Sequence, residues 1–181
     1  MLSDNFEGPG LSPATWASNI HGQIVVDPLN ASNRVLNFSA TQGGGDLFSV
    51  EVPNAPTFYL SFDYLFLGTA PFGGGFIGVQ DPGETWLAGD CNGCYPTPFD
   101  VLTGLSADTW HHIQIQYSPF GPGPTALKLE QFVGNPGNAY FDNLVLSDSG
   151  FGGDVPEPST VVLLGAGIAA IVLRQRKVRN S

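Results

Sequence analysis

Between Thr57 and Leu67 the chain places Phe58, Leu60, Phe62, Tyr64 and Phe66 at every second position. A period of two puts all five on one face of a β-strand, whereas a helix would scatter them around its axis. Such a face must be covered by another apolar layer, so the strand belongs inside a sheet that packs against a second one. The opposite face carries Tyr59, Ser61 and Asp63, then Leu65 and Leu67, polar at first and then apolar.

The rest of the first 147 residues repeats this pattern on a shorter scale. Asp4 to Gly8 alternates and is closed by Gly8-Pro9-Gly10, and Trp16 follows as an expected core anchor. Strands are predicted at Gln23 to Asp27, Arg34 to Ala40, Leu47 to Val52, Phe76 to Val79, Thr85 to Ala88, Trp110 to Tyr117, Ala126 to Phe132 and Ala139 to Leu146. Turns rich in Gly, Pro and Asn separate them; Gly and Pro, at 24 and 15 residues, make up a fifth of the chain. About ten short strands with no helical period define an all-β domain, a two-sheet antiparallel sandwich. A chain of this length buries roughly two thirds of its unfolded surface, enough for one core.

Charge excludes some partners. Residues 1 to 158 hold all 16 acidic side chains against two basic ones, Arg34 and Lys128, a balance of −14, while the last eight residues add +4. A domain so acidic repels nucleic acid and anionic lipid. The excess acid serves solubility, or divalent-cation binding.

Cys91-Asn92-Gly93-Cys94 sets two cysteines three apart across an Asn-Gly turn. Zinc needs about four ligands and no second cysteine pair exists. A redox pair needs a following helix, and Tyr95-Pro96-Thr97-Pro98 forbids one. A local disulfide between Cys91 and Cys94 is the reading for an exported protein, with free thiols as the alternative. His111 and His112, adjacent on a strand, face opposite ways and do not chelate one metal together.

The C-terminus has a different character. After a Gly-rich linker at 148–154 come Val155-Pro156-Glu157-Pro158-Ser159, the uncharged run Thr160 to Leu173, and a tail at 174–181 with Arg174, Arg176, Lys177 and Arg179. The prolines hold the tripeptide extended, available to another protein's cleft. As a helix the apolar run of 14 residues would span about 21 Å, short of a ~30 Å hydrocarbon core, a gap closed by bilayer thinning and snorkelling of the basic side chains. The basic cluster places that end in the cytoplasm.

This order of Pro-Glu-Pro, short apolar helix and basic end resembles the PEP-CTERM sorting signal of Gram-negative bacteria. The resemblance implies recognition at Val155 to Ser159 by an exosortase, a membrane-embedded cysteine transpeptidase. It implies cleavage near Pro156-Glu157-Pro158, inner-membrane residence in transit, and a final place at the cell surface or in the extracellular matrix. An exported chain is also expected to open with a basic and an apolar stretch. Met1-Leu2-Ser3-Asp4-Asn5-Phe6 enters the domain directly, so that start is expected upstream, truncation being the alternative.

The opening Asn5-Phe6-Glu7-Gly8 with Trp16, the Trp110 to Ile113 stretch, and Phe141-Asp142-Asn143-Leu144-Val145-Leu146 resemble jelly-roll carbohydrate-binding modules and laminin-G-like domains. The resemblance implies that first and last strands pair, bringing Asp4 or Glu7 near Asp142. Galactose-binding-like modules hold a structural calcium at such a place, with Glu7, Asp142, Asp4 and Asp27 as candidate ligands here; solvated edge residues are the alternative. Trp86, Tyr95 and Phe99, in the loop-rich middle near Asp90 and Asn92, are candidates for stacking on sugar rings of an extracellular polysaccharide, or else fill the core. Related glycanases carry Glu-x-Asp-x-Glu on one strand, and no such triplet occurs here. The expected role is therefore non-catalytic, structural or glycan-binding, with an extracellular glycan-active hydrolase as the alternative.

Overall fold

A computed structural model describes residues 1–38, 45–68, 73–81, 83–90, 101–131 and 139–151. They form eleven strands: β1 (Leu2–Asp4), β2 (Trp16–Asn19), β3 (Gly22–Val26), β4 (Arg34–Phe38), β5 (Gly45–Ser49), β6 (Phe58–Phe66), β7 (Gly75–Asp81), β8 (Gly83–Gly89), β9 (His111–Tyr117), β10 (Ala126–Gln131) and β11 (Ala139–Ser147). Among the described residues no helix is long and apolar enough to cross a membrane. The compact unit they build runs from Met1 to Phe151.

Two antiparallel sheets make a jelly-roll sandwich. One has the order β3-β4-β11-β6-β9, with β1 pairing on β11, and the other β2-β5-β10-β7-β8. First and last strands pair as expected, Leu2 opposite Leu146 and Asp4 opposite Leu144. β6 lies between β11 and β9, hydrogen-bonded on both edges. Its inward row of Phe58, Leu60, Phe62 and Tyr64 meets Leu47, Ile77, Val79, Leu127 and Leu129 of the other sheet in one buried cluster. The Phe141 ring sits at the heart of this core, its centroid 5.4 Å from Tyr64, 6.2 Å from Phe62 and 6.5 Å from Phe38.

One feature differs from expectation. The first strand stops at Asp4 instead of continuing to Gly8, because the Asp4 carboxylate accepts the Phe6 N–H at 2.8 Å and Phe6 takes a left-handed φ of 53° that no strand sustains. The turn drives the Phe6 ring into the core, stacked 6.0 Å from Trp16. Leu65, on the outward face of β6, is fully buried together with Val35 of β4. At that end the segment from Asp27 to Asn33 is tied to the sheet, through the Trp110 indole N–H to Asp27 at 3.1 Å and the Asn33 amide to Asp142 at 2.9 Å.

At the same end of β6, on its inward side, a buried polar anchor reaches the second sheet. The Tyr64 hydroxyl donates to Asp90 at 2.8 Å, and the Gly73 N–H donates to the same oxygen. Burial, reinforced by the Asp90 charge, lifts the Tyr64 hydroxyl well above the usual phenol range, so it stays a donor.

Candidate functional site

The outward face of the five-stranded sheet is built from residues at alternate positions of β5, β10, β7 and β8. Register aligns Phe48 with Lys128, Lys128 with Gly78, and Gly78 with Trp86, a single row across four strands. The absent side chain at Gly78 shapes this row. A Cβ there would lie 2.8 Å from Trp86 Cε3 and 2.5 Å from the Thr85 carbonyl oxygen, so only glycine lets the indole settle over β7. Lys128 Nζ then stands 4.5 Å from the Trp86 ring centroid and 5.4 Å from that of Phe48, in cation–π contact with the first ring and close to the second. Phe76 braces the indole edge-on at 5.6 Å, leaving Trp86 half-buried.

Three carboxylates surround the same ammonium. Lys128 hydrogen-bonds Glu84 and reaches Glu130 at 3.0 Å and Asp46 at 3.6 Å. Its side chain is 8% exposed, against 43% for Glu84, 33% for Asp46 and 23% for Glu130. Burial alone would lower the Lys128 pKa, but the hydrogen bonds it donates to Glu84 and Glu130 and the charges of Glu130 and Asp46 outweigh it and hold the value above that of an ordinary lysine. Glu130 is pushed up from 4.5 by burial, with the Asp46 charge adding to the rise and Lys128 opposing it. Beside this row lies an open depression of about 510 Å³ lined by Ser18, Phe48, Ser49, Glu51, Gln80 and Ala126, among others. Aromatic faces beside exposed acceptors can stack on apolar sugar faces and bond hydroxyl groups.

The four calcium candidates are brought together unequally, Asp142 standing on the outward side of β11 while Asp4 pairs with the core residue Leu144 and Asp27 lies just past β3. Asp142 is buried and Glu7 exposed, and the two are near enough that the Glu7 charge contributes to a raised Asp142 pKa, after burial as the main cause and alongside Asp63. Both Asp4 oxygens accept protein donors, Phe6 N–H at 2.8 Å and the Trp16 indole at 2.7 Å. Asp27 accepts from Leu29 N–H, from the Asn33 amide at 3.2 Å and from the Trp110 indole. One Asn33 amide nitrogen thus joins Asp27 to Asp142. Among the described residues no three His, Cys, Asp or Glu side chains converge as a metal site. His112 bonds Asp63 at 2.7 Å on the outward face, and His111 turns the other way to Ser106, as adjacent strand positions require.

Of the glycan candidates, Trp86 stands on the aromatic row, while Tyr95 and Phe99 lie outside the described residues, as do Cys91 and Cys94. The whole stretch from Val155 to Ser159, the run to Leu173, and Arg174, Arg176, Lys177 and Arg179 also lie outside them. The sequence reading missed Lys128 and Phe48. The signal available was Lys128 itself, one of two basic residues before the tail, at an outward position among apolar neighbours.

The fold is that of the jelly-roll carbohydrate-binding modules. A CBM22-1 xylan-binding domain from Paenibacillus barcinonensis superposes with a TM-score of 0.52 at 14% identity, over 80% of this chain and 91% of that one. CBM22-1–GH10 modules of a xylanase from Clostridium thermocellum, complexed with xylohexaose, give 0.51 at 16% identity, over 81% of this chain and 28% of that one. An adhesin domain of Lys-gingipain from Porphyromonas gingivalis gives 0.54 at 15%, over 82% and 98%. No curated protein matches the sequence. The chain carries, at residues 154–177, the PEP-CTERM protein-sorting motif.

Proposed function

We propose that this chain is an exported, non-catalytic β-sandwich that binds polysaccharide through the outward face of its five-stranded sheet and reaches the cell surface or extracellular matrix by exosortase sorting. The observation that carries the binding is the row of Trp86, Lys128 and Phe48, a half-exposed aromatic surface bordered by carboxylates and an open depression. The sorting motif at 154–177 supports the delivery. In that reading the exosortase takes the segment Val155 to Ser159, residues 160–173 hold the inner membrane in transit, and the basic tail stays cytoplasmic.

Stacking on a tryptophan face is a large share of such an affinity, so Trp86→Ala should weaken binding about tenfold or more, one decade being about 1.4 kcal/mol. Isothermal titration of the full-length chain and the variant against soluble polysaccharides checks this. Unchanged affinity in the variant, or the release of reducing sugar by the protein, would count against the reading.

A structural calcium belongs to the same proposal. Glu7 is the least committed of the four candidates, accepting only a long 3.4 Å bond from Arg34 N–H, whereas Asp4, Asp27 and Asp142 each accept protein N–H donors on both oxygens. Backbone carbonyls and water would complete the six to eight oxygens the ion requires. Calcium should raise the melting temperature of the chelator-treated protein, as a ligand bound only by the native state must. No shift on calcium addition removes this part.

A further inference from the structure

Resting on the reading of the Trp86 face as a glycan site, we infer that it selects sugars bearing a protonated amino group over neutral ones, and neutral sugars over uronates. A lysine ammonium has three N–H donors, and Lys128 has three carboxylates around it, Glu84, Glu130 and Asp46. With its side chain 8% exposed, that cation is committed to the protein and has little left for an anionic ligand. Arg34, the other basic residue before the tail, begins β4 in the opposite sheet.

The carboxylates are in the reverse position. Each carries about four lone-pair sites, and Glu84, Asp46 and Glu130 remain 43%, 33% and 23% exposed. Three acids against one base leave the face with a formal surplus of two negative charges, within a domain at −14. Lone pairs facing water beside a half-exposed indole accept from hydroxyl O–H groups and more strongly from an ammonium, since charge-assisted bonds are about twice as strong as neutral ones. A uronate brought to the same ring meets like charge within a Debye length of about 10 Å and, among the described residues, finds no uncommitted cation on that face.

The test uses β-1,4-linked hexasaccharides of glucosamine, glucose and glucuronic acid, alike in backbone and differing in charge. They are titrated at pH 5.5 into the detergent-solubilised full-length chain. The expected order is glucosamine, glucose, glucuronic acid, spanning about a hundredfold or more from first to last, roughly two decades of like-charge and charge-assisted difference. Glu84→Gln together with Asp46→Asn should compress that span by weakening the glucosamine ligand and by freeing Lys128 donors for the glucuronate. Equal affinity for all three, lost in Trp86→Ala, overturns the selectivity and leaves the glycan site standing. Binding of none overturns the site itself. Hexalysine binding as tightly as the glucosamine hexasaccharide assigns the effect to the net charge of the domain and overturns the selectivity.

Discussion

Phe141→Ala should lower the stability of the sandwich by about 3–5 kcal/mol, the range for a phenylalanine removed from a close-packed core. Phe141 is fully buried, with Phe38, Phe62 and Tyr64 packed around its ring, and β11 carrying it is gripped by β4, β6 and β1. Those neighbours sit on paired strands and have little freedom to collapse into the space. For a domain of this size the loss corresponds to a melting temperature lower by roughly 10 °C. Phe120, 83% exposed at a loop tip, supplies the contrast: its alanine variant should stay within about 0.5 kcal/mol of the parent. Chemical denaturation of both variants reads the two numbers, and a Phe141→Ala loss below about 1 kcal/mol would mean that the core is centred elsewhere.

Lys128→Met is expected to cost about 2–3 kcal/mol, less than the loss of a partner from a fully buried pair because the acids remain partly hydrated. Methionine preserves contact with the Trp86 and Phe48 rings, so what is lost is the cation among Glu84, Glu130 and Asp46. The deficit carries a pH signature. Glu130 already titrates above 4.5 in the folded protein, chiefly through burial, and Lys128 is what opposes the rise. A carboxyl whose folded pKa is raised binds more protons folded than unfolded, so its destabilising effect is full above the folded value and disappears as pH falls below 4.5. Removing the lysine lifts Glu130 further. The gap between variant and parent should therefore be widest at pH 7 and narrow towards pH 4, as denaturation at both values would show. A gap that widens on acidification would contradict the assigned electrostatics.

The fold was legible where local pattern and tertiary demand coincide. Alternation from Phe58 to Phe66 reports burial of one face directly, and the apolar strand ending in Leu144, Val145 and Leu146 needed only a partner, which β1 supplies. What failed was local geometry set by one side chain. Nothing in the Asp4 to Gly8 alternation announces that the Asp4 carboxylate will capture the Phe6 N–H and turn the chain.

The candidate site was legible only in part for a related reason. Trp86 is conspicuous as a tryptophan in a polar stretch, but its setting is made by cross-strand register. Phe48, Lys128 and Gly78 become its neighbours only when β5, β10, β7 and β8 lie side by side. In the sequence, Gly78 reads as one glycine among 24, and its meaning appears only when the indole lies over it. The sorting motif is the opposite case. It is a linear string of residues, so its residue order is sufficient to find it.

The account stands most directly on the fate of that string. The protein should be recovered from the extracellular matrix fraction of cells with an active exosortase, and its C-terminus read by mass spectrometry. A terminus between Val155 and Pro158 is the predicted result, since cleavage as proposed would remove residues 160–181 and leave the sandwich outside. Recovery solely of chains that end at Ser181 and stay with the inner membrane would contradict it.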